Sequence, residues 1–369
     1  MNKRVLILIL AVIGIVSSII YLQSQKVSVL QGSNQVSTIT PMTNDDKAKL
    51  YPVAKDITTP DGFINTDGIN ISDLIGKKVI LVDFWTYSCI NCQRTTPYLN
   101  AWYDKYKDQG LEIIGIHTPE FEFEKDYANL QLAVTKEAIK FPVVLDNDFS
   151  TWQAYGNRYW PRKYLIDIDG YIVYDHIGEG AYEETEQKIQ AVLSERARRL
   201  DQSIIIDGTI SQPEGTEVVD SDKVGSQEVY FGSGRNSQLV NGQTGSANTQ
   251  ILTIPSDVKG NGLYLGGIWK FTEESAESQG QAAISYRYQA KHVYFVASAD
   301  ILIEAEVLLD GQPLGSRAGK DVVTRDGHSY LKIQANQLYE IIADQDYGQH
   351  TLEILIPQGG LQAYTFTFG

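Results

Sequence analysis

Apolar and polar positions fall into two regimes along the 369-residue chain. In the first regime, unbroken apolar runs alternate with stretches whose apolar residues return every three or four positions. KKVILVDFW (77–85) is nearly continuous, which predicts a central strand covered on both faces. CQRTTPYLNAWYDKYKDQG (92–110) follows, with Leu99, Trp102, Tyr103 and Tyr106 at helical spacing and Gly110 as the stop. LEIIGI (111–116) predicts a second buried strand, 121–140 a polar helical segment, and FPVVLD (141–146) another strand. KYLIDIDGYIVYDHIG (163–178) predicts a hairpin turning at Asp169-Gly170. EETEQKIQAVLSERARRL (183–200) closes the unit as an amphipathic helix through Ile189, Val192, Leu193 and Leu200. The order βαβ, an extra helix and strand, then ββα predicts an α/β domain over 51–200.

The second regime begins after a polar stretch, 201–227, which is expected to be a linker. From 228 to 369 short β-type runs are separated by Gly, Asn and Asp turns, predicting an all-β sandwich of jelly-roll type. Ahead of both regimes, Lys3 and Arg4 precede an uncharged run from Val5 to Leu22. As a helix it would span about 27 Å, enough for a hydrocarbon core. The flanking positive charges put the bulk of the chain outside the cytoplasm, so residues 1–25 are expected to be a single-pass membrane anchor. A cleaved signal peptide is the other reading, but no small-x-small site follows the run. Residues 26–50, rich in Ser, Gln, Thr and Asn, are expected to be a flexible tether.

Composition narrows the function. A net charge of −15 disfavours nucleic acid, whose phosphates require a basic face. The chain has two cysteines, Cys89 and Cys92, too few for a disulfide-stapled scaffold, and both fall between the first strand and its helix. A sulfur there faces the helix's unsatisfied N–H groups and positive dipole end, surroundings that suit an anionic sulfur. Three residues on, the second sulfur lies one turn away on the same face. That spacing lets Cys89 attack a disulfide and Cys92 resolve the mixed disulfide. A zinc site lacks two further ligands, and a structural disulfide closing so small a loop would add little stability. A peroxidatic cysteine stays open, since Thr86-Tyr87-Ser88-Cys89 has the T-x-x-C arrangement, although peroxiredoxins need a proline where Val82 stands.

VILVDFWTYSCINCQRTTP (79–97) resembles the active-site segment of the thioredoxin superfamily. The resemblance implies a thioredoxin fold, Asp83 as the buried acid that takes a proton from Cys92, and Pro97 as the proline that kinks the helix. It also implies that Pro161 is the cis-proline facing the cysteines, exposing the backbone of Trp160 to an extended client peptide. DFWTYSCINCQR, GIHTPEFEFEK and YWPRKYLID together resemble the extracytoplasmic part of DipZ-type proteins, in which a carbohydrate-binding-module-like β-sandwich follows. EVYFGSGR, ISYRYQAKHVYFV, VLLDGQPLG and AYTFTFG resemble that second module. The expectation is an anchored extracytoplasmic thiol–disulfide oxidoreductase. It uses no cofactor beyond the Cys89–Cys92 disulfide, exchanges with client proteins, and is served by a separate CcdA/DsbD-type membrane electron donor. The rivals are a cell-surface glycan-binding protein on a thioredoxin scaffold and a thiol peroxidase.

Further residues are weighed against plainer roles. Glu120, after the second strand, is a proton-shuttle candidate or a solvated carboxylate. His117 is a catalytic candidate or a packed histidine. Tyr87 and Trp85 flank the motif as client-contact surface or, for Trp85, core. Arg94 either tunes the thiols or is a solvated charge. Tyr230, Trp269, Tyr286, Tyr288, Tyr294 and Tyr364 form either a sugar-stacking platform for a glycan or sandwich core.

Overall fold

A computed structural model describes residues 42–369. The expected anchor and most of the expected tether lie outside the described residues, among which no helix is long and apolar enough to cross a membrane. The first domain is built on a six-stranded sheet in the order β1-β4-β3-β2-β5-β6. Its centre is β2 (Val79–Trp85), buried at every position, parallel to β3 (Leu111–His117) and antiparallel to β5 (Arg162–Ile166). β4 (Val143–Leu145) continues the parallel set and β6 (Ile172–Ile177) pairs with β5, as the apolar runs imply. A three-residue strand β1 (Gly62–Ile64) pairs antiparallel with β4; so short a run carries no readable alternation.

Both sheet faces are covered. On one, Leu81, Ile113 and Leu165 meet α3 (Ile90–Tyr106) through Leu99 and Trp102, and α6 (Tyr182–Arg199) through Ile189 and Leu193. On the other, Ile80, Val82, Phe84 and Tyr164 meet the short helices α2 (Ile71–Leu74) and α5 (Ser150–Ala154). The inserted helix is α4 (Tyr127–Lys136), capped by Asp126. Gly110 closes the α3 segment at φ 106°, and a Cβ there would sit 2.4 Å from the Arg196 guanidinium carbon. Only glycine fits.

The expected tether ends earlier than its composition suggests. Asn44–Leu50 forms α1, capped by Thr43, and its Lys47 is buried against the sheet's far end. The Lys47 ammonium lies 2.5 Å from Asp167, 3.0 Å from Asp169 and 2.5 Å from Glu195. Burial opposes its charge, but these carboxylates outweigh that and raise the lysine's proton affinity. The three acids have a spacing that could hold a metal ion; their centre is filled by this side chain. Lys47→Ala is expected to cost about 2 kcal/mol, because a charged hydrogen bond is lost while water reaches the released acids. Urea unfolding measures the loss, and proteolysis within 42–55 should accelerate.

Among the described residues the second domain is one hydrogen-bonded network of ten strands, numbered in chain order from β7 (Val229–Tyr230) to β16 (Leu361–Phe368), rather than two separate sheets. Its spine is β10 (Ala276–Ala299), which pairs along most of its length with β15 (Gln337–Ile356). Register shifts at Ala290/His292 and Val293/Tyr294 let one long strand change neighbours: β9 (Leu263–Phe271) borders its first half and β16 (Leu361–Phe368) its second. Trp269, Tyr286 and Tyr288 lie in its core, and the Trp269 indole N–H donates to Gly266 O at 2.9 Å. Tyr294 and Tyr364 join Val296 and Leu338 in a cluster with Ile90 and Phe121 of the first domain. Tyr230 is half-buried against Glu120. Of the two readings of these six aromatics, their burial matches the core and packing role and not an open sugar-stacking platform. Alternation along the strands turns three of them into the core and three toward the junction.

Candidate active site

β2 ends at Trp85, and residues 86–89 turn directly into α3, for which Cys89 is the N-cap. Its side chain makes no capping bond, so its sulfur is left free at the helix terminus. The two sulfurs are unbonded; Cys89 is half-buried and Cys92 is buried. The Trp160–Pro161 peptide is cis and brings Trp160 O to 4.0 Å from Cys89 Sγ. The Trp160 ring packs on Trp152 at 4.4 Å and its indole N–H donates to Thr118 O at 2.9 Å, which fixes the irregular segment leading into the proline. Cys89, Cys92, Trp160 and Pro161 thus come together at one end of the sheet. Pro97 lies inside α3, five residues beyond Cys92.

Asp83 is buried on β2, and its Oδ1 has no hydrogen-bond partner among the described residues. Burial pushes its carboxyl up to about 7, against an opposing pull from Lys163. Burial also raises the Cys92 thiol, as do Cys89 and Asp83, both within electrostatic range. Lys163 is the feature that strand alternation does not announce. It is wholly buried, stands directly across the β2–β5 ladder from Asp83, and among the described residues donates only to Gly178 O, at 3.2 Å. Burial lowers its proton affinity, while Asp83, Cys92 and Glu179 oppose that. An acid and a lysine facing each other on adjacent strands behind a CxxC pair are the signal that a register argument could have used.

Four other candidates take their own places. Glu120 does not approach the thiols: its Oε1 accepts from Tyr230 at 2.9 Å and Arg235 at 2.7 Å, at the junction with the second domain. The acid under the cysteine loop is Glu124. Its carboxylate accepts from the Ser88 N–H and hydroxyl at 3.2 and 2.6 Å and from the Glu120 and Phe121 N–H groups at 2.6 and 3.0 Å. The spacing of four residues between two acids on one irregular segment hides which of them turns inward. Tyr87 is 6% exposed and stacked on His117, ring centroids 5.7 Å apart, so it supports the loop from below instead of offering an open client surface. His117 is a packed histidine: burial lowers it to about 3, leaving it neutral. Trp85 is core, 4% exposed.

A buried acid beneath a CxxC pair at a strand–helix junction, faced by a cis-proline, is the arrangement of a thioredoxin-like protein. Residues 52–175 match the AhpC/TSA family and residues 226–369 the family described as "Thioredoxin like C-terminal domain". Protein DipZ of Mycobacterium tuberculosis is 34% identical over 322 residues, which cover 86% of this chain and 43% of that protein. Thiol-disulfide oxidoreductase ResA of Bacillus thuringiensis is 35% identical over 135 residues, covering 35% of this chain and 74% of that one. A solved thioredoxin-like protein in its oxidised form is 28% identical, with a TM-score of 0.37, over 40% of this chain and 98% of that chain. The chain belongs to the thioredoxin-like thiol-disulfide oxidoreductases, and it spans less than half the length of the DipZ proteins it matches.

Proposed function

We propose that this protein is a membrane-anchored, extracytoplasmic thiol-disulfide oxidoreductase that exchanges disulfides with client proteins through Cys89 and Cys92. The observation that carries the reading is the placement of Cys89 Sγ beside the cis-proline carbonyl, with Cys92 buried one turn behind it above Asp83. The Cys89 thiolate attacks one sulfur of a client disulfide, forming a mixed disulfide and expelling the other client sulfur as a thiolate. Asp83 takes the Cys92 proton while Cys92 attacks Cys89 Sγ. The client leaves with both sulfurs reduced, and two electrons have passed from the pair to the client. An acid near 7 suits that transfer, since it can hold and release a proton around neutral pH. The half-buried backbone of Trp160, just ahead of the buried Pro161, offers an extended client a strand-like partner.

The anchor rests on the uncharged run 5–22, and the extracytoplasmic side on Lys3 and Arg4 before it. Renewal of the dithiol requires an electron donor, for which the DipZ resemblance points to a CcdA/DsbD-type membrane protein. Cys92→Ser is expected to trap clients covalently on Cys89, visible as adducts that dissolve with dithiothreitol. Recovery of none from a preparation that alkylates at Cys89 would remove the exchange cycle. The AhpC/TSA match supports a second reading, a thiol peroxidase. Consumption of hydrogen peroxide at a rate exceeding client reduction would favour it.

A further inference from the structure

Arg94 is a charged side chain inside the protein that this exchange chemistry leaves unused. It lies two residues after Cys92 on α3, and its side chain is 4% exposed. Its Nε donates to Glu217 Oε2 at 2.9 Å, and its two terminal nitrogens reach Glu179 Oε1 and the Tyr294 hydroxyl, each at 3.3 Å. The guanidinium carbon stands 5.2 Å from the Tyr294 ring centre. The partners come from three parts of the chain: the loop after β6, the segment joining the domains, and β10. One planar fork satisfies all three, which a lysine could not do.

On the β-domain side the grip is itself braced. The Tyr294 hydroxyl donates to Glu217 Oε2 at 2.9 Å, and His292 Nε2, on the same strand, lies 2.7 Å from Glu217 Oε1. Burial disfavours the Glu217 charge, yet His292 and Arg94 outweigh it and hold the carboxyl near 2. On the other side, Glu179 is the single side chain in the loop 178–180, flanked by Gly178 and Gly180 at φ 84° and 89°. Neither glycine's Cβ position has a neighbour within 4 Å, so the Glu179 side chain is the loop's own anchor. That loop meets the thiol site through its backbone. The Gly178 N–H donates to Pro161 O at 2.8 Å, and Gly178 O accepts from Lys163, which faces Asp83.

We infer that Arg94 is a positioning residue through which the β domain holds the 178–180 loop, and with it Lys163 and the cis-proline segment, in place behind the cysteines. The inference rests on the thiol–disulfide reading. It assigns the β domain a part in setting the redox balance of a pair it does not touch. Loosening the loop takes the Lys163 amine away from Cys92, whose thiolate character in the reduced form its charge supports. The dithiol is then disfavoured relative to the disulfide.

The test is the exchange equilibrium of the Cys89–Cys92 couple with glutathione, measured on the whole chain. Arg94→Gln is expected to shift it toward the disulfide about tenfold, a potential lower by about 30 mV. Arg94→Lys keeps the charge but not the fork, and should recover less than half of that shift. Tyr294→Phe removes one neutral hydroxyl, 200 positions from Arg94, and leaves the packed ring. It should shift the equilibrium the same way by about threefold, a coupling of ordinary size between contacting groups. Tyr230→Phe, on the separate Glu120 contact, should match the parent. A reversible couple that Tyr294→Phe leaves unchanged, that Arg94→Lys fully restores, or that Tyr230→Phe shifts as far overturns this inference alone. A parent with no reversible couple overturns the exchange reading and this inference with it.

Discussion

Replacing Cys89 with serine is expected to lower client-disulfide reduction by at least about a thousandfold, to the background rate of dithiothreitol itself. The expectation follows from position. Cys89 is the half-exposed sulfur, at the helix start and 4.0 Å from Trp160 O, whereas Cys92 is buried and cannot meet a client first. Serine keeps the size and the N-cap position, so the fold should persist. Insulin turbidity with dithiothreitol measures the rate, and a Cys89→Ser variant retaining a tenth of parental activity would show that another group carries the chemistry. Alkylation adds a check on order: in the parent, iodoacetamide should label Cys89 well before Cys92.

Asp83→Asn carries the second large effect, and it acts in opposite directions on rate and stability. Client release should slow by about a hundredfold near neutral pH, because Cys92 loses the group that takes its proton. Stability should rise. A carboxyl held near 7 in the folded protein, against 3.8 as its ordinary value, binds its proton more tightly when folded. The parent therefore loses stability as pH climbs from about 4 to about 7, by no more than about 4 kcal/mol. The asparagine variant lacks that loss, less whatever Lys163 forfeits with its counter-charge. Urea midpoints at pH 4 and pH 8 should diverge for the parent and stay close for Asp83→Asn. Equal pH dependence in both proteins would show that Asp83 ionises freely in the fold.

The parts of the molecule legible in the sequence are those where one local rule suffices. Continuous apolar runs locate β2 and β3 because both faces of a central strand are dry, and Gly110 marks its helix end because nothing larger fits. The CxxC pair declares itself by being all the cysteine there is. What escapes is set by partners far along the chain. Lys163 sits in RKYLI, where a lysine reads as a solvent-facing residue, and its burial is decided by Asp83 on the neighbouring strand. Glu120 and Glu124 are indistinguishable until the loop of Ser88 selects the second. NDDKAKL is polar enough to read as tether, and only the three acids at the far end of the sheet make it a docked helix. The aromatic alternation of the β domain is the same for core, sugar platform or junction; the other domain's Ile90 and Phe121 settle it for Tyr294 and Tyr364.

Ile90 stands between the two cysteines and is 6% exposed, roofed by residues of the β domain. Cutting the chain after α6 would strip that roof and leave a greasy residue in the middle of the reactive motif, beside bare Phe121 and Phe123. The excised half would be a sticky reagent, prone to self-association at the very spot where it must discriminate among clients. Kinetic constants from such a fragment would describe a different surface from the one the intact chain presents.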